Sequence, residues 1–113
     1  MSRAMTRLPQ LPIAAAMVVV LSVAARADAI DGDWCNAAGK RMSIRGPAIV
    51  TPGGAKMQGD YTRHFFSYVI PPGEAGAGKK MAITLLGEYL AHARAGGDDA
   101  PVIEWRRCQP GIS

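Results

Sequence analysis

Gly73 to Lys79 (GEAGAGK) fits the spacing G-x-x-x-x-G-K, in which glycine amides cradle phosphates and the lysine meets their terminal oxygens. That chemistry also needs a Ser or Thr directly after the lysine to hold magnesium, and Lys80 stands there instead. The segment follows Pro71-Pro72 rather than a buried parallel strand, so it reads as a lysine-tipped hairpin loop. Asp28, Asp31 and Asp33 lie close together but lack the alternating ligands, sixth-position Gly and terminal Glu of a helix–loop–helix calcium site. They read as a solvated acidic leader. His64 and His92 are the only histidines, and zinc needs three or four ligands at about 2.0–2.3 Å. With the cysteines paired, only carboxylates such as Glu88 or Glu104 could complete that set, and no spacing gathers them. Ser43, Ser67 and Ser113 stand in no nucleophile motif, and no two acids are placed as proton donor and base. The expectation is a chain that is not an enzyme and holds no metal or cofactor.

Two cysteines remain, Cys35 and Cys108, near the two ends of the candidate domain. Their compartment follows from the N-terminus. Arg3 and Arg7 precede an apolar stretch from Leu11 to Ala25, and Ala25-Arg26-Ala27 is a small-x-small cleavage site. That is the layout of a secretory signal peptide over residues 1–27, cleaved after Ala27, which sends the mature domain, residues 28–113, to the periplasm or outside the cell. In such a compartment one even cysteine pair reads as one disulfide. Closing so long a loop stabilises by about 4 kcal/mol in chain-entropy terms, comparable to the net stability of many small domains. A metal or catalytic thiol pair would call for C-x-x-C spacing, which is absent.

Removing the leader changes the charge argument. The full chain carries 13 Lys/Arg against 9 Asp/Glu, but Arg3, Arg7 and Arg26 belong to the leader. The mature chain is therefore close to neutral, and nucleic acid is not expected as a partner. The apolar run of the leader is shorter than the roughly 20 residues a helix needs to cross a bilayer, and the mature chain has no comparable run, so stable membrane insertion is not expected.

The elements that must position these residues are short. All 13 glycines follow the leader, and Gly/Pro clusters at Gly46-Pro47, Pro52-Gly53-Gly54, Pro71-Pro72-Gly73 and Gly96-Gly97 separate segments of about 5 to 10 residues. Lys40–Arg45 alternates, with Met42 and Ile44 on one side. Ala48–Thr51 is a short apolar strand ending in the Pro52-Gly53 turn. Tyr61–Ile70 (YTRHFFSYVI) reads as one strand, rich in aromatic and β-branched residues, and Val102–Arg107 closes the series with Ile103 and Trp105 on one face. Lys79–Ala95 is read as two strands, Met81–Leu86 and Tyr89–Arg94, turning at Gly87-Glu88, with a helix over about 80–95 (an α+β fold) as the alternative. The expected fold is all-β: six or seven antiparallel strands in a meander that closes into a barrel or barrel-like sheet. The disulfide would join the first and last strands, and Trp34 and Trp105 would share the face opposite their cysteines.

Gly32-Asp33-Trp34 resembles the G-x-W that opens lipocalin-type barrels. The resemblance spans three residues. It implies a tryptophan packed across the barrel floor against a basic residue of the last strand, here Arg106 or Arg107, by a cation–π contact worth about 0.5–2 kcal/mol. A candidate binding surface comprises Tyr61, Arg63 and His64 on the aromatic segment, since Tyr and Arg are enriched at binding hot spots. It also includes Lys56, Lys79 and Lys80 at or near the tips of the loops Thr51–Asp60 and Pro71–Lys80. The function expected from this pattern is an exported binding domain for an envelope or extracellular protein, with hydrolase inhibition as one version. The alternative is a lipocalin-like carrier of a small apolar ligand.

Overall fold

The computed structural model describes residues 29–109. The proposed leader, its cleavage site after Ala27, Asp28 and residues 110–113 lie outside the described residues. Nine antiparallel strands run in chain order: β1 (Gly32–Cys35), β2 (Arg41–Arg45), β3 (Ala48–Val50), β4 (Lys56–Gln58), β5 (Asp60–Thr62), β6 (Phe65–Val69), β7 (Lys80–Gly87), β8 (Leu90–Ala95) and β9 (Ile103–Arg107). They form one sheet in the order β4-β3-β2-β1-β9-β8-β7-β6-β5, with no helix among the described residues. None of those residues therefore forms a helix long and apolar enough to cross a membrane.

The sheet curls into a nearly closed barrel because its two outermost strands are neighbours in sequence. β4 pairs with β3, β5 pairs with β6, and only Gly59 separates β4 from β5. The chain switches partner at that residue, whose N–H donates to Pro47 O at 2.9 Å. A Cβ at Gly59 would collide with the Ser67 carbonyl and the Phe66 ring, so the crossing requires glycine.

Period-2 alternation sends one set of side chains inward. Trp34, Met42, Ile44, Ile49, Phe66, Tyr68, Met81, Ile83, Ala91, Ala93 and Trp105 form one buried cluster with Ile30 and Ile70. Burying a large apolar side chain of this kind contributes about 1.5–3 kcal/mol. Across β6 and β7, Phe66 faces Ile83 and Tyr68 faces Met81. The alanines of β8 leave room for Trp105, which lies directly opposite Ala91.

The hairpin reading of residues 79–95 holds, with the turn at Glu88-Tyr89, one residue beyond the expected position, after a bulge between Leu85 and Gly87. The disulfide joins the end of β1 to the residue after β9, with Cα atoms 5.1 Å apart. Trp34 and Trp105 are both buried on the inner side, as the parity with their cysteines predicts.

Two expectations are corrected. Tyr61–Ile70 is a hairpin, β5 and β6 folded back at Arg63-His64, so Tyr61 faces Phe66 instead of the opposite side. No Gly, Pro or Asn marks that turn. The Thr51–Asp60 segment is not a free loop: its middle is β4, with Met57 packed against the core, and it supplies one of the strands beyond the six or seven expected.

Candidate functional site

The strands place the turns in two groups. Turns at 46–47, 63–64 and 88–89 surround one end, called here the mouth, and those at 36–40, 51–55, 70–79 and 96–102 surround the far end.

Across the mouth runs the segment Ala29–Asp31, held from all sides. Ile30 is fully buried; its N–H donates to Arg63 O at 2.7 Å, and its carbonyl accepts from Trp34 Nε1 at 2.9 Å. The Asp31 carboxylate accepts the Tyr61 hydroxyl through one oxygen and the Gly46 N–H, at 2.7 Å, through the other. Arg107 completes the clamp. Its guanidinium donates to the carbonyls of Ala29 and Asp31, both at 2.7 Å, and to that of Glu88 at 2.5 Å, and it lies 4.4 Å from the centre of the Trp34 ring.

Register explains why Arg107 rather than Arg106 takes this place. Trp34 and Arg107 stand directly opposite and share the inner face, whereas Arg106 is opposite Cys35 and points outward. Gly32, at φ +133°, has no Cβ to collide with that guanidinium.

Burial pulls the pKa of Arg107 down, opposed by the nearby Asp31 and Glu88 carboxylates. The hydrogen bond to the Asp31 carboxylate pushes that of Tyr61 up. Asp33 accepts from the Ser43 hydroxyl at 2.6 Å, which with the Arg45 and Arg41 guanidiniums holds its carboxyl below the usual range. Asp31 and Asp33 are thus engaged by structural donors rather than forming part of a solvated leader.

The candidate surface residues separate into the same two groups. Tyr61 is half-buried behind the mouth. Arg63 and His64 form the tip of the β5–β6 turn, exposed, with Phe65 beside them. The turn is tied to β7 by Leu85 N–H donating to His64 O at 2.9 Å. The neighbouring β7–β8 turn exposes Leu86 and Tyr89, 53% and 66% accessible. Sequence reasoning missed Phe65, Leu86 and Tyr89 as surface residues, because apolar character by itself points to a core. The usable signal was the irregular spacing around Gly87.

Lys56, Lys79 and Lys80 lie at the far end. The loop carrying Lys79 is latched down: Thr51, itself buried, donates its hydroxyl to Glu74 at 2.5 Å and accepts the Ala55 N–H at 2.9 Å. Ile70 N–H to Lys79 O and Gly78 N–H to Ile70 O, each 2.9 Å, close the loop base. A carboxylate inside this glycine-rich loop, which links antiparallel strands, opposes the phosphate reading. Tyr68, buried, has its pKa pushed up to about 12, first by burial and then by the Glu74 charge.

His64, at a turn tip, and His92, on the outer wall between Thr84 and Glu104, are not brought together. No group of three His, Cys, Asp or Glu is placed to hold a metal ion among the described residues. The arrangement can therefore present a rigid, mixed apolar and basic surface at the mouth, built on two hydrogen-bonded turns. Among known proteins, no family model, no curated sequence and no solved structure matches this chain.

Proposed function

We propose that the chain is an exported, non-enzymatic binding domain that engages a protein partner with the hairpin tips around its mouth. The observation that carries this reading is the placement of Phe65, Leu86 and Tyr89, large apolar side chains exposed on two adjacent, tied-down turns, with Arg63 and His64 at the tip of one of them. Aromatic and arginine side chains on a preorganised frame bind with little ordering cost. Projecting tips suit a concave partner, which is the geometry an inhibitor uses to enter a hydrolase cleft. A carrier of an apolar ligand would need roughly 300 Å³ of space inside the barrel. The interior instead gathers Trp34, Phe66, Tyr68, Met81 and Trp105 in one packed cluster, which favours the binding reading.

The test is affinity capture from an envelope extract with the mature chain, followed by site-specific crosslinking. A crosslinker at Tyr89 should label the captured protein. The triple variant Phe65→Ser, Leu86→Ser, Tyr89→Ser should bind it at least tenfold more weakly. Labelling from Lys56 and Lys79 instead, with the triple variant binding normally, would move the surface to the far end.

A further inference from the structure

The first and last strands, β1 and β9, which are neighbours in the middle of the sheet, are joined twice. Trp34 and Arg107 meet on the inner side of the sheet, and the residues directly following them, Cys35 and Cys108, are bonded to each other on the outer side. Among the described residues, this seam has the fewest registered backbone pairs. Two registered pairs hold β1 to β9, with one further bond from Cys108 N–H to Asp33 O at 3.0 Å. Every other pairing has three or more registered pairs, and β7–β8 has six. The bridge therefore supplies alignment that hydrogen bonds supply elsewhere, and the group it aligns is the clamp on Ala29–Asp31.

The outer side of the bridge is reachable. Both cysteines are half-buried and open onto a depression of about 570 Å³ that is also lined by Asn36, Arg41, Glu104 and Arg106. The guanidiniums that line it are balanced by carboxylates, Arg41 by Asp33 at 2.9 Å and Arg106 by Glu104 at 2.5 Å. What the depression offers an attacking thiolate is therefore access to the sulfurs, on which exchange depends.

We infer that the Cys35–Cys108 bridge is a thiol-exchange site for a dithiol reductant, and that its state governs how firmly Ala29–Asp31 is held across the mouth. A thiolate of the dithiol attacks one sulfur of the bridge; the S–S bond breaks and the other cysteine leaves as a thiolate. The second thiol of the reductant then displaces the first cysteine from the mixed disulfide. The dithiol is oxidised to its own disulfide, two electrons pass to the bridge, and two protons end on Cys35 and Cys108. With the bridge open, Arg107 is no longer aligned over Trp34 and Ala29–Asp31 is left with its contacts to Arg63, Tyr61 and Gly46, so the segment opens more often while the seven other strand pairings stay formed.

Dithiothreitol acting on the oxidised mature chain in native buffer tests this, with free thiols, far-UV circular dichroism and amide exchange followed together. The expected result is reduction without denaturant, an unchanged strand signal, and exchange of the Ile30 amide at least tenfold faster than in the oxidised protein. The Phe66 and Ile83 amides should keep their protection. The double variant Cys35→Ser, Cys108→Ser should reproduce the fast Ile30 exchange. A bridge that is reduced only in urea, loss of the strand signal on reduction, or an Ile30 amide equally protected in both states would each overturn the inference.

Discussion

The two ends of the barrel are closed by different physics. At the mouth, Arg107 and Asp31 are partly withdrawn from water and matched bond for bond: three carbonyls and an indole face for the cation, a phenol and an amide for the carboxylate. At the far end, one hydroxyl–carboxylate contact, Thr51 to Glu74, latches two loops. Lys40, Lys56, Lys79 and Lys80 stand exposed there, with no ion pair among the described residues. A partly buried charge must be matched or it destabilises the fold, so the mouth is rigid. Solvated lysines carry no such requirement. The bonded mouth makes a frame for the turns that carry Phe65 and Tyr89, and that is why we propose the binding surface there rather than among the lysines.

The comparison can be broken at either end. The largest effect is expected from Arg107→Met, which keeps the apolar stem but leaves the carbonyls of Ala29, Asp31 and Glu88 without their donor and removes the cation from Trp34. Hydrogen bonds from a charged donor and a partly desolvated cation–π contact together predict a loss of about 3–4 kcal/mol in urea unfolding. A loss under about 1 kcal/mol would show that the mouth is no more rigid than the far end.

Next comes alkaline pH. The Tyr68 pKa is raised in the folded state, so its contribution is complete below pH 10 and is lost as pH rises toward about 12. The expected loss over that range is about 2–3 kcal/mol, at 1.36 kcal/mol per unit. Tyr68→Phe should abolish this high-pH phase, as followed by tyrosinate absorbance together with unfolding.

At the far end, Thr51→Val removes two hydrogen bonds and leaves the Glu74 carboxylate and Ala55 N–H to find water. About 1–2 kcal/mol is expected, with faster amide exchange at Gly78 and none at Ile30. Coupled exchange at both positions would mean that the ends do not act separately. The smallest effect is expected at Asp33, on the outer wall. Its lowered pKa means a contribution present above the usual carboxylate range and lost as pH falls through the folded value. Asp33→Asn should flatten only the acid limb of the stability profile.

Much of the wall was legible in the residues. Alternation in Lys40–Arg45 and Val102–Arg107 depends only on the two-residue repeat of a strand, and Gly87 broke the helix alternative in Lys79–Ala95. The β5–β6 turn was not legible, because Arg63-His64 carries none of the residues that usually mark a hairpin and the flanking aromatics read as continuous. β4 was hidden for the opposite reason: four residues between Gly54 and Gly59 make no periodic signal, and only Ile49 and the core behind it hold Met57 in a strand.

By itself the sequence determined that the described domain is a meander of short strands, that Cys35 and Cys108 can pair, and that Trp34 and Trp105 lie on the face away from them. Each of these follows from local parity and turn chemistry, which act over a few residues. Only the tertiary structure decided that Arg107 and not Arg106 meets Trp34, that Asp31 and Tyr61 close the mouth, and that Thr51 reaches Glu74. Those contacts join residues 23 to 78 positions apart. They depend on strand register and on the partner switch at Gly59, and no short-range pattern encodes either.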